Sequence, residues 1–459
     1  MKINLITFLF FIFSIGLING CKKELSNDEI LTNIIKINNL LALEVREPDI
    51  GPKFILGKFL FHDPILSGNR DVACVSCHLP EYKTTDGLKN SIGTNGIGRG
   101  SDRYLENNIN HQIRNSPDLY NRDHGHVKNL FWDGGVEFTN KPIRKYITPM
   151  GMNLKNGFEN TLAVQAIFPI TRFDEMLGNY EDISLNSLPL IHRNKKNELA
   201  TNQDNKKYHE KIQFSLNKLM KRLLGSDNIN FWQKEYRKLF NEAYPNIKIE
   251  NLNETHIANA LSRYQELAFA NYNSPWDNYL NGNLKSLSQN QKKGAILFFG
   301  KGNCSSCHSG PLFSDFNFYS IGVPSNIKIE GHYKTDYGRY NITRKNIDKF
   351  KFRTPPLRMV EYTSPYFHNG YESNLEKVID QHVNPYQYGS KYNKDGSHTM
   401  SRIELDNIDL KSDTIILEKK EYKYLVSFLT SLSGYASIDE KLIIPNYVPS
   451  GLNQWLKNY

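Results

Sequence analysis

The sequence predicts a mainly α-helical chain in two similar units, on three observations. Apolar residues recur at helical spacing in several stretches. Strand signals are short and scattered between long irregular connections. One cysteine motif occurs twice, with Cys304 following Cys74 by 230 residues. A length of 459 residues also exceeds what one ordinary core accommodates, which favours two units.

The elements can be justified in order. Asn27-Asp28 can cap a helix reaching roughly Ala42, with Ile30, Ile34, Ile35 and Leu41 on one apolar stripe. Gly51 to Leu60 reads as helical after Pro52 and leads into the first cysteine motif. From Pro80 to Asn140 the chain is rich in Gly, Asn and Pro, so loops are expected. Helical patterns resume at Thr161–Ile167, Leu216–Ala243 and Glu254–Asn271. Residues 193–210, polar and rich in Asn and Lys, read as an exposed excursion. Gln289 to Phe299 delivers the second motif, and further helices are expected near Asn374–His382 and Glu418–Ser433. A linker is expected near Ser274–Pro275.

The chain opens on a targeting segment. Lys2 supplies a positive end, and Leu5 to Leu17 is apolar but too short for an ordinary membrane span. Leu17-Ile18-Asn19-Gly20-Cys21 resembles a bacterial lipobox, which implies cleavage before Cys21 and lipidation of its sulfur; the other reading is an ordinary signal peptide with an incidental cysteine. The expectation is an exported protein on the periplasmic side of the envelope, tethered by lipid at Cys21, with surface exposure left open. Residues 1–20 are then the signal peptide and 21–50 the tether and first helix. The net charge of +9 is modest and dispersed, as in Lys195-Lys196 and Lys206-Lys207, so no nucleic-acid partner is expected.

Five cysteines are few enough to assign singly. Besides Cys21, they form Cys74-Val-Ser-Cys77-His78 and Cys304-Ser-Ser-Cys307-His308. Two disulfides would be the plain reading in an exported chain, but the histidine after each pair argues otherwise. Two thiols three residues apart reach the two vinyl groups of one haem, and the adjacent imidazole binds its iron. A zinc site would need further ligands at suitable spacing, and none stand out. Two covalently attached haems c are expected, in two cytochrome-c-like units spanning 51–275 and 276–459.

Further motifs make a family resemblance specific. The first half carries Gly57-Lys58-Phe59-Leu60-Phe61, Asp63-Pro64, Leu66-Ser67, Arg114-Asn115-Ser116-Pro117 and Phe131-Trp132-Asp133-Gly134. The second carries Phe299-Gly300-Lys301-Gly302, Asp336-Tyr337-Gly338-Arg339, Phe352-Arg353-Thr354-Pro355 and Ser364-Pro365-Tyr366-Phe367-His368-Asn369-Gly370. From about Gly51 to Gly434 the chain resembles the bacterial di-haem cytochrome c peroxidases, which include MauG-like proteins. Insertions near 138–160 and 190–225 depart from that pattern.

The resemblance implies a division of labour. The N-terminal haem would reduce hydrogen peroxide to water, and the C-terminal haem would receive electrons from a small c-type cytochrome or cupredoxin. Glu175, in Asp174-Glu175-Met176, matches the carboxylate that moves a proton between the peroxide oxygens. Gln165 resembles a pocket-lining Gln, and Trp132 resembles the aromatic between the haems; core packing and a surface carboxylate are the plainer uses of Trp132 and Glu175. A capping histidine is expected sixteen residues after His78, but Thr94 stands there, which predicts an open first haem, with His111 as a rival cap. His382, fourteen residues after His368, falls where the second iron's distal ligand is expected, with Met400, Tyr386 and Tyr388 as alternatives. One Ca²⁺ is implied at Asn115, Thr363 and Pro365. His62, His124 and His126 are left as surface or loop residues. Family members often form homodimers. The alternative activity is a MauG-like oxidase that modifies a protein partner through a high-valent iron state; a pure electron carrier would need neither an open iron nor Glu175.

Overall fold

The computed structural model describes residues 25–452, apart from 107–111, 142–144, 180–191, 193–195, 202–204, 228, 326–327, 330–331, 390–399, 410–414 and 437. Cys21 and the targeting segment, and the rival cap His111, lie outside the described residues. Among those described, no helix is long and apolar enough to cross a membrane.

The chain is mainly helical, with strands of two or three residues. Its first half holds α1 (Asn27–Asn38), α2 (Pro52–His62), α3 (Thr161–Ala166), α4 (Tyr208–Leu224), α5 (Phe231–Ala243) and α6 (Glu254–Ala268). The second holds α7 (Pro275–Leu280), α8 (Gln289–Phe299), α9 (Tyr340–Thr343), α10 (Leu375–Val383), α11 (Pro385–Gly389), α12 (Arg402–Asp406), α13 (Lys419–Thr430) and α14 (Glu440–Ile443). Local chemistry sets their ends. Ser26 and Glu29 form a capping box on α1, and Asn39 stops it in the left-handed conformation, short of the expected Ala42. Pro52 opens α2 at the first helical position. The pattern over Leu216–Ala243 proves to be two helices, because the chain turns at Gly225 with φ of 66°. The pattern from Glu254 stops at Ala268, since Asn271–Tyr272 pairs as a strand with Tyr435–Ala436.

Each half repeats one packing device. The helix before each cysteine motif, α2 or α8, carries a central glycine pressed against another helix. A Cβ on Gly57 would lie 2.0 Å from the Ala260 carbonyl oxygen of α6, and one on Gly294 would lie 1.9 Å from that of Tyr424 in α13. Only glycine admits these approaches. Aromatic packing fills the space around them: Phe61, Tyr264 and Phe269 in the first half, and Trp276, Phe298, Phe313 and Phe428 in the second.

The chain ends cross over. Leu31 of α1 is buried in the second half's core, where Asp28 pairs with Lys292 at 2.7 Å. Ile443 and Leu452 join the first half's core, where buried Asp63 accepts from Tyr236 Oη at 2.8 Å and Ser450 Oγ at 2.6 Å.

Two expectations are corrected. Residues 197–200 of the supposed exposed excursion are packed inward: Leu199 is buried, and Glu198 pairs with the buried Arg70 and Arg222 at 2.8 and 2.7 Å. Arg222 also donates to the Ile65 carbonyl, beneath the first cysteine loop. His62 is not a surface residue but fully buried in α2, where burial lowers it to about 4. His124 and His126 do lie near the surface, with rings stacked at 4.9 Å.

Candidate active site

Each cysteine motif forms one tight 3-10 turn, at Cys74–Ser76 and Cys304–Ser306. The backbone N–H of His78 donates to the Cys74 carbonyl at 3.0 Å, and that of His308 to the Cys304 carbonyl at 2.9 Å. None of the four cysteines forms a disulfide. Each imidazole is fixed through Nδ1, His78 to the Thr84 carbonyl at 2.8 Å and His308 to the Phe313 carbonyl at 3.0 Å. Such a bond selects the tautomer whose Nε2 carries the lone pair. Burial lowers both histidines to about 4, which keeps them neutral. Two thiols and a neutral imidazole beside a cavity are the donor set that haem c requires.

The first cavity gathers residues that are distant in sequence. Cys74, Cys77, His78, Trp132, Gln165 and Glu175 all line it, with Phe61, Leu162 and Leu261 among its apolar walls. His78 is the one imidazole on that wall among the described residues. Thr94 lies off the wall, its hydroxyl accepting from Asn69 at 3.0 Å.

Glu175 sits in a π-helical turn, Phe173–Leu177. Burial raises its pKa above 4.5, although the Arg172 guanidinium at 2.8 Å pulls the other way. Four segments anchor the turn. The carbonyls of Asp174, Glu175, Met176 and Leu177 accept from Gln112 Nε2 (3.0 Å), Thr94 N (3.0 Å), Gly68 N (2.7 Å) and Asn197 Nδ2 (2.6 Å). Gly93 lies so close that a Cβ would meet the Asp174 and Glu175 carbonyl oxygens at 2.2 and 2.3 Å. The sequence does not mark these anchors, because all four donate to backbone carbonyls, which carry no residue identity.

The second cavity is lined by Cys304, Cys307, His308 and His382, with Met400 on the same wall. α10 presents His382, whose Nδ1 bonds the Val378 carbonyl at 2.8 Å one turn back. Phe367 stacks on its ring at 5.9 Å. Of the alternative ligands, Met400 is buried at this cavity and Tyr386 is exposed, off the wall; the side chain of Tyr388 lies outside the described residues.

The sequence model of the di-haem cytochrome c peroxidase family matches residues 52–285, just over half the chain. The chain belongs to the di-haem cytochrome c peroxidase family. Cytochrome-c peroxidase IdrP2 of Denitromonas iodatirespirans is 27% identical over 418 residues, covering 86% of this chain and 85% of the relative. Methylamine utilization protein MauG of Methylophilus methylotrophus is 25% identical over 404 residues, covering 87% and 85%. Among solved structures, a MauG-like protein associated with microbial copper homeostasis shares the fold at a TM-score of 0.57 and 24% identity, over 87% of this chain and 95% of that one. The diheme peroxidase BthA from Burkholderia thailandensis does so at 0.55 and 19%, over 86% and 91%. The family's cofactors are two c-type haems, and peroxidase and MauG-like members both occur in it.

In this member of the di-haem peroxidase family a partition separates the cavities, built where four motifs converge. Asn115, Asp118, Arg122, Trp132 and Arg353 line both sides of it. The Trp132 indole donates to the Asn115 carbonyl at 2.9 Å, and its own carbonyl accepts from Arg353 N at 2.8 Å. Arg114 Nε and Nη2 bond Asp336 at 2.7 and 3.0 Å, and Nη1 bonds Asp133 at 2.6 Å, joining the two halves through one guanidinium. Arg339 donates to the Asp133 and Gly134 carbonyls. Asn115, Thr363 and Pro365 all border the second cavity.

Proposed function

We propose that the chain reduces hydrogen peroxide to water at a haem held by Cys74, Cys77 and His78, with electrons entering through a haem held by Cys304, Cys307 and His308 from a small c-type cytochrome or cupredoxin. One observation supports this above others: His78, Glu175, Gln165 and Trp132 share a single cavity, and Trp132 also borders the second. A bound haem supplies an iron centre that accepts peroxide and carries electrons. The overall change takes one peroxide, two electrons and two protons to two waters.

The protein's part is positioning and proton movement. Glu175 accepts a proton from one peroxide oxygen and returns it to the other, which then leaves as water. Its raised pKa suits it to hold that proton briefly, and Arg172 steadies the carboxylate. Gln165 offers an amide beside it. Trp132 provides an oxidisable ring between the cavities, and His382, on the wall of the second cavity with His308, would be available to hold the second iron as well, which would favour electron transfer over ligand binding there. Thr94, holding the Glu175 turn from off the cavity wall, would offer the first iron no ligand. We extend the reading to one Ca²⁺ taking oxygens from Asn115, Thr363 and Pro365. The Asn115 carbonyl already accepts from Trp132, so Asn115 would contribute its side-chain oxygen. Residues 51–275 and 276–459 form the two haem units in this reading, and Cys21 carries the lipid that holds them at the periplasmic face of the envelope.

Turnover of peroxide with a reduced c-type cytochrome tests the proposal. The expected result is oxidation of two cytochromes per peroxide, falling by about 10²-fold or more in Glu175→Gln while both haem spectra persist. No peroxide-dependent oxidation of the cytochrome would overturn it. Modification of a partner protein in place of that oxidation would establish the MauG-like oxidase, which a first cavity with one imidazole among the described residues also suits.

A further inference from the structure

The partition holds two cations that its own carboxylates do not balance. Arg122 and Arg353 are 4% and 2% exposed, and both line both cavities. Asp118 engages Arg122, its carbonyl accepting from Nε at 3.0 Å and its carboxylate from Nη2 at 2.7 Å. The third nitrogen, Nη1 of Arg122, is buried with no hydrogen-bond partner. Arg353 bonds only carbonyls, Phe131 from Nε at 3.1 Å and Thr354 from Nη1 at 3.2 Å, and among the described residues no carboxylate pairs with it. Two guanidiniums thus face the cavities with one carboxylate between them. The buried Arg358 is instead matched by Asp277 at 2.6 Å, and the half-buried Arg114 by Asp133 and Asp336.

A buried guanidinium without a counter-charge is costly, and so is a buried donor without an acceptor. Burial and the neighbouring Arg122 charge push Arg353 down to about 9. The missing component is therefore an anion with flat, paired oxygens, presented from the cavity side. Each haem carries two propionate carboxylates, the geometry that guanidinium forks bind.

We propose that Arg122 and Arg353 form an anion clamp that receives haem propionates on the partition and, because Arg353 faces both cavities, holds up the reduction potentials of both haems. This rests on the two-haem reading above. Arg353 lies 5.9 Å from the Trp132 ring centroid, so the clamp stands against the aromatic that separates the cavities. A fixed positive charge disfavours the ferric state of each iron it faces. Its removal therefore lowers both potentials.

Spectroelectrochemical titration of the holoprotein, without peroxide, tests the clamp. Arg353→Gln is expected to lower both midpoint potentials, and Arg353→Lys to restore most of each shift, since the charge remains. Arg122→Gln is expected to lower the potential of the His78 haem at least, and it serves if the first variant does not fold. Two attached haems with unchanged potentials in Arg353→Gln and Arg122→Gln would overturn the clamp. So would a lysine variant shifted as far as the glutamine one, or a shift in Arg353→Gln confined to one haem. A pyridine haemochrome assay showing fewer than two haems c overturns the underlying reading, which separates that failure from failure of the clamp alone.

Discussion

Asp336 shows how much one side chain can carry. It comes from the second half, accepts two bonds from Arg114 of the first, and lines the second cavity. Burial opposes its charge, yet the Arg114 guanidinium holds it down at about 2, below its ordinary 3.8. A carboxyl depressed on folding adds stability that is complete above its unfolded pKa and is lost as pH falls through the folded one. Wild-type stability should therefore decline between about pH 4 and pH 2. In Asp336→Asn, urea unfolding at pH 7 should show a loss of roughly 1–3 kcal/mol, softened because Arg114 keeps Asp133. That variant should also lose less on acidification than wild type; parallel curves would refute the assignment. Residues of this kind were legible in the sequence, because Arg114, Trp132, Asp336 and Arg353 sit in the motifs that carry the family resemblance. Asn197, Gln112 and Gly68 were not, since a side-chain amide or a backbone N–H reaching a distant carbonyl leaves no local pattern.

At the scale of elements, the turn carrying Glu175 is the telling case. Five residues in a π-helix satisfy little of their own backbone, so four neighbouring segments supply donors to four successive carbonyls. The turn is placed by the loops around it. Gly93→Ala would press a methyl group into the Asp174 and Glu175 carbonyls. It should cost about 1–3 kcal/mol by thermal melting and lower peroxide turnover, with haem attachment intact. Unchanged turnover would show that the turn tolerates displacement. The long helices were readable from their 3.6-residue period, and α8 matches its expected bounds. The break at Gly225 was hidden because apolar spacing continues on both sides of it. Residues 197–200 were misread for a related reason: their composition is that of a solvated surface, while Glu198 is drawn inward by Arg70 and Arg222, over a hundred and about twenty residues away in sequence.

The whole molecule is two halves that repeat one device and then differ. Both place a glycine-bearing helix before a cysteine turn. Their interlocking was not predictable, because Asp28 with Lys292 and Asp63 with Ser450 join residues hundreds of positions apart. The halves diverge at the cavities. Among the described residues the first holds one imidazole, a raised-pKa carboxylate and an amide; the second holds both His308 and His382 on its wall. Electron paramagnetic resonance of the resting holoprotein with both irons ferric tests that inequality most directly. The account predicts one high-spin signal, from the haem at His78, and one low-spin signal of bis-histidine type, from the haem at His308; two low-spin signals, or two high-spin ones, would contradict it.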